Sequence, residues 1–263
     1  MLQGLFVLSL STFLSTSPPD ELVLATVQAQ PPPELLAEAD SARRAPPAEL
    51  HQLAERVNFL QGHFTRGALG MSLDIPRDQH LLAGADARDA DSALRGKDDP
   101  FLIGWMIDAN KTLTDAGLRI VRLRWRHDGL VELGPAPLNP AALLDASRSH
   151  PLASRIFGSG GTLVRYIVPP VRERSTVVWS EERQPIDATK ASVFDCHALR
   201  FARKGVLELS IAGVDASSAT LCAGALRALA ATVRFVAAED YPAQPGGEPL
   251  APYSLVALIA QTQ

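Results

Sequence analysis

The chain has 263 residues, 46% of them hydrophobic, enough to bury one sizeable core but short for two full domains. Lys and Arg total 25 against 29 Asp and Glu, and a net charge of −4 gives no field for drawing in nucleic acid. Two cysteines exclude a disulfide-built scaffold and a paired zinc site, and 6% aromatics leave few stacking platforms for single-stranded nucleic acid or sugars.

The first apolar run, 4–14 (GLFVLSLSTFL), is too short to span a bilayer and has the length of a signal-peptide core. Val27-Gln28-Ala29 offers a small-residue cleavage site, although no Lys or Arg precedes the run. Residues 1–29 are therefore expected to be a signal peptide. The next stretch, 30–48, carries PPP at 31–33 and Pro46-Pro47 and suits a Pro/Ala-rich tether, leaving 49–263 as a single domain.

Period-two patterns dominate beyond the tether, with strands expected at 68–75, 101–107, 162–168 and 176–181. Between the first two, Asp86, Asp89, Asp91, Asp98 and Asp99 lack the alternating spacing, turn glycine and terminal Glu of a calcium loop. They fit a short surface helix with solvated carboxylates. In 119–127, Val121, Leu123 and Trp125 alternate with Arg122, Arg124 and Arg126. Successive strand side chains take opposite faces, so one face is apolar and the other bears an arginine row. That row reads as a solvated strand face, with an anionic-ligand or partner surface as the sharper alternative.

Asn139-Pro140 is an N-cap followed by proline at the first helical position, opening a helix that should stop near His150-Pro151. The glycines of 158–161 precede a strand, the reverse of a phosphate cradle, and there is no GxSxG or HExxH. Asp195 and His197 share a strand face that Cys196 leaves, which argues against a cysteine nucleophile. Strands at 198–202 and 206–212 flank Arg203-Lys204-Gly205, a tight connection in which glycine would supply positive φ. Leu207 and Leu209 then face the core and Glu208 faces water. A helix capped by Asp215 or Ser217 and reaching about Val236 aligns Cys222, Leu226, Leu229, Val233 and Val236 on one stripe.

Cys196 opens the strand region and Cys222 lies early in this helix. A strand advances roughly 3.3 Å per residue and a helix about 1.5 Å, so the two thiols are expected to remain unpaired. The elements together imply an α+β fold, a mostly antiparallel sheet with a few helices packed on one face.

The segment 194–213, FDCHALRFARKGVLELSIAG, is similar to one in the bacterial domain of unknown function 2167 family. Arg203-Lys204-Gly205-Val206-Leu207 match that family's pattern, while Ala202 replaces a glycine and Asp195-Cys196 stand where Asn-Tyr is usual. Pro169-Pro170 followed by Trp179 resembles a second landmark, with Tyr166 in place of a tryptophan. The resemblance covers roughly 57–260 and implies an exported, periplasmic or otherwise extracytoplasmic domain, usually anchored by membrane helices after this point. It offers no catalytic residues to carry over, and it makes Pro169, Pro170, Trp179, Arg203 and Gly205 structural.

The expected function is a non-catalytic envelope domain that binds an envelope protein or surface, with no cofactor, no metal and no nucleic acid. The alternative is a hydrolase whose site Asp195, His197 and Glu181 form only on folding. No stretch after the N-terminal run qualifies as a membrane helix, since 250–260 is short and contains Pro252.

Overall fold

The computed structural model describes residues 48–96, 98–149, 161–242 and 246–260. The expected signal peptide, the tether up to 47 and the glycine turn at 158–160 lie outside the described residues; Ala48, the expected end of the tether, already begins a helix.

The larger sheet has seven strands: β3 (Gln79–Ala83), β4 (Leu102–Asp108), β5 (Val121–Arg126), β6 (Thr162–Glu173), β7 (Thr176–Gln184), β8 (Val193–Ala202) and β9 (Gly205–Val214). Their order is β3-β4-β5-β9-β8-β7-β6, and every neighbouring pair is antiparallel. A second sheet joins β1 (His63–Arg66), β2 (Met71–Asp74) and β10 (Val233–Phe235). Helices are α1 (Ala48–Ala54), α2 (Gly84–Arg95), α3 (Pro140–Ser149), α4 (Ala219–Thr232) and α5 (Leu255–Ala260). The α+β class with a mostly antiparallel sheet is the one the alternation implies.

Directly paired residues of an antiparallel ladder share a face. On one face Leu123, Trp125, Leu207, Leu209, Ile211 and Cys196 pack under α4 and the small sheet, through Leu226, Leu229, Met71 and Leu73. The other face is covered in two places. Leu82 and Trp105 bury against Leu50 and Leu53 of α1 and Ala87 and Ala90 of α2. Trp179, Leu199 and Phe201 bury against Leu143 of α3 and Leu258 and Ile259 of α5. Helices therefore flank the sheet on both sides.

Asn139 caps α3 as expected, its Oδ1 accepting from the backbone N–H of Ala141 (3.1 Å) and Ala142 (3.3 Å). Asp215 accepts from the Ser218 backbone N–H (2.7 Å) and hydroxyl (2.7 Å), and with Ser217 these bonds hold its carboxyl down at about 2. Other boundaries differ from expectation. The first strand is shorter because a 3-10 turn occupies Gly67–Leu69. The last long helix ends at Thr232, where Val233 turns extended and β10 pairs with β2, leaving Val236 57% exposed rather than on the buried stripe.

The thiols are also not as expected: Cys196 and Cys222 form a disulfide, with Cα atoms 6.1 Å apart. The stretch from Cys196 onward is not one extended run. The β8–β9 hairpin folds it back, pairing Cys196 with Ile211, so α4 starts beside the residue it was supposed to have left behind.

Gly205 likewise serves another purpose than positive φ. Its φ is ordinary, but a Cβ there would sit 1.9 Å from the Arg126 carbonyl oxygen, so the hairpin approaches β5 too closely for any side chain.

Candidate functional site

The face that carries the arginine row is crossed by residues in register: Leu82, Trp105, Arg122, Ser210, His197 and Trp179, one from each strand from β3 to β7 except that β9 and β8 supply the middle pair. A second row runs Leu102, Arg124, Glu208, Leu199, Val177 and Arg172. Apolar clusters flank the middle of these rows, so Ser210, His197, Arg124 and Glu208 are buried, while Arg172 at the end of the second row reaches the surface.

The arginines are consequently not a solvated face. Arg122 grips Asp91 with Nε (2.8 Å) and Nη2 (3.0 Å) and also reaches Asp99 (2.7 Å). Arg124, 5% exposed, bonds Asp99 through Nε (2.7 Å) and Glu208 through Nη1 (2.6 Å). Arg126 bonds Asp128 (2.7 Å) and lies over the Tyr253 ring, 4.7 Å from its centroid. Asp91 and Asp99 are thus buried anchors from α2 and the loop after it, not solvated carboxylates; Trp105 Nε1 donates to Asp91 as well (3.2 Å). Glu208, expected to face water, is 1% exposed. Its burial outweighs Arg124 and Arg126 and pushes its carboxyl up to about 8. At Asp99 burial also acts upward, but Arg124 and Arg122 prevail and lower it.

A second network lies across β7 and β8. Glu181, Asp195 and His197 are each 0% exposed, and one ligand atom from each lies within 4.8 Å of the others. Glu181 Oε1 accepts from Arg183 Nε (2.5 Å) and pairs with His197 Nε2 (3.2 Å), while Trp179 Nε1 donates to Oε2 (2.9 Å). The Trp179 and His197 rings stack at 4.8 Å. Asp195 accepts the Gly213 backbone N–H (2.9 Å). Burial raises Glu181, yet Arg183 and His197 outweigh it and hold the carboxyl at about 2. Folding does bring together the three residues of the hydrolase alternative. A carboxylate held that low, with both oxygens engaged and no route to water, is a poor general base. The same donor set could ligate a cation only by displacing the guanidinium of Arg183.

Pro169 and Pro170 lie in β6, the sheet edge, where the register with β7 shifts between Val168 and Val171 and leaves both prolines out of the paired residues. Trp179 is buried in the network above, and Arg203 ties the hairpin to the Glu239 carbonyl by its backbone N–H (2.9 Å) and to the Glu248 carboxylate by its guanidinium.

What opens to solvent is a cleft of about 1050 Å³ that no motif announces. One wall is 130–135, zipped to 249–251 by Leu130 N–H to Pro249 (2.8 Å) and Ala251 N–H to Leu130 (2.9 Å). Gly129 permits this approach: it has φ 99°, and a Cβ would lie 2.5 Å from the Pro249 oxygen. Tyr241 braces the wall, its hydroxyl donating to Val131 (3.0 Å) and accepting from Leu133 N–H (3.2 Å). Arg172 donates to the carbonyls of Leu133, Gly134 and Pro135. Tyr253 lines the floor and donates to Asp128 (2.7 Å); burial first, then that carboxylate, raise its hydroxyl above the usual phenol range. The arginine row thus meets the cleft only from beneath, through Arg126, Asp128 and Tyr253.

Among the described residues, fold and site together define an α+β domain with two largely buried ion networks and an open cleft. No family model matches the chain, and no curated protein matches it. Among solved structures it is similar to cyanobacterial PsbP (CyanoP) from Synechocystis sp. PCC 6803, with a TM-score of 0.37 and 8% identity over 69% of this chain and 94% of that one. A likeness at that level carries nothing about this chain's role. Among the described residues no helix is long and apolar enough to cross a membrane.

Proposed function

We propose that this chain is an extracytoplasmic, non-catalytic domain of the bacterial envelope, similar to the domain of unknown function 2167 family, and that it binds a protein partner in the cleft. The observation that carries the reading is the separation of chemistry from solvent. The candidate catalytic groups Glu181, Asp195 and His197 are sealed, while the open cleft is lined by tyrosines, prolines and leucines, the surface of a binding site. The Cys196–Cys222 disulfide supports an oxidising compartment. The hydrolase alternative has the convergence of its three residues in its favour and their burial against it.

Site-directed photocrosslinking in intact cells tests this. A photoreactive residue replacing Leu250, 56% exposed in the cleft, should yield a discrete adduct that one replacing Leu94, 47% exposed on α2, does not. Equal labelling from both positions, or recovery of the protein only from the cytosol, would sink the proposal.

A further inference from the structure

We infer that the cleft recognises a carboxylate on an extended, proline-containing peptide, and that Arg174 is the residue that receives it. The inference rests on the cleft being the partner site and adds the chemistry of what enters it.

Arg174 begins the two-residue β6–β7 turn at the cleft rim with φ 55°, the sole non-glycine residue with positive φ among those described. Two-residue hairpins place positive φ at this position and usually fill it with Gly or Asn. An arginine there is tolerated at some conformational cost, and its side chain is exposed with no hydrogen bond or ion pair among the described residues.

Its charge is a surplus rather than one half of a local pair. The carboxylates of the flanking segments already have cations: Glu173 with Arg227, Asp240 with Arg200, Glu239 with Lys204 and Glu248 with Arg203. The neighbouring Arg172 is engaged by three wall carbonyls. One acid of the lining, Glu132, is exposed with no hydrogen bond or ion pair among the described residues, and against it Arg172 and Arg174 leave the lining with a net positive charge that favours an anionic group.

The rest of the surface selects an extended chain. Tyr241 and Tyr253 present rings fixed by their hydroxyl bonds, and Pro135, Pro242 and Pro252 supply rigid, flat walls. Aromatic grooves of this kind take polyproline II segments, which are already ordered before binding. A volume near 1050 Å³ in an open cleft suits several residues of such a segment.

The test titrates the full chain with three synthetic peptides: an amidated Pro-Glu repeat, an amidated Pro-Gln repeat and a Pro-Gln repeat with a free C-terminal carboxylate. Tyr241 and Tyr253 ring resonances report where they bind. At least one carboxylate-bearing peptide should bind about tenfold or more tighter than the amidated Pro-Gln repeat, and which one does so tells a side-chain acid from a chain end. Arg174→Gly and Arg174→Asn suit the left-handed backbone, so both should melt near the parent temperature and lose that preference. Equal binding of all three peptides, unchanged in either variant, overturns the carboxylate assignment and leaves the cleft as a partner site. No shift at either tyrosine with any peptide overturns both.

Discussion

Glu208 and Leu209 are neighbours whose alternation was legible and whose environments were not. With period two, Leu209 enters the core and Glu208 the other face, as the pattern requires, but that face is roofed by helices and Glu208 meets Arg124 instead of water. Leu209→Ala should cost about 2–5 kcal/mol, and Glu208→Ala about 1–3 kcal/mol because Arg124 keeps Asp99 but loses a buried hydrogen-bond partner. Thermal or chemical unfolding of both variants checks this; an inert Glu208→Ala would mean that the network is not closed. Gly205→Ala should also destabilise strongly, from the clash with the Arg126 carbonyl and not from backbone torsion. The two buried acids give opposite pH signatures. Glu181 is lowered from 4.5 to about 2, so the stability it contributes is present above pH 4.5 and lost as pH falls through 2. Glu208 is raised from 4.5 to about 8, so its contribution is full below pH 4.5 and lost as pH rises through 8. Unfolding free energies across pH should therefore lose part of their acid-side slope in Glu181→Gln and part of their alkaline-side slope in Glu208→Gln. Unchanged slopes in both variants would contradict these assignments.

At the scale of elements, the disulfide couples β8 to α4, two pieces joined otherwise by apolar contacts such as those of Leu226 and Leu229. Its sequence separation of 26 residues corresponds to a loop-closure contribution of about 3–4 kcal/mol. Reduction should lower the melting temperature and raise amide exchange in α4 more than in α2, and mass spectrometry of the unreduced, denatured protein should find no alkylatable thiol. Two free thiols would remove this pairing and return the original expectation. The strands β1, β3 and β10 escaped the sequence because each is short and none alternates cleanly. They are strands because a neighbour offers hydrogen bonds, as β2 does for Val233–Phe235 after the helix stops.

For the whole molecule, the sequence by itself determined the α+β class, the face on which each residue of β5 and β9 lies, the start of α3 and the tight β8–β9 connection. All of these follow from local rules: side-chain period, capping chemistry and turn length. Only the tertiary structure decided what each face meets. Period-two alternation cannot say whether a polar face is open or roofed, so an arginine row could not be told from a buried ion network until α2 brought Asp91 to Arg122. The same limit hid the pairing of Cys196 with Cys222, which a hairpin reversal makes adjacent, and the convergence of Glu181, Asp195 and His197 from two strands. It hid the cleft as well, whose walls come from 130–135, the β6–β7 turn and the segment after β10, far apart in the chain and close only because the strands carry them to one end of the sheet.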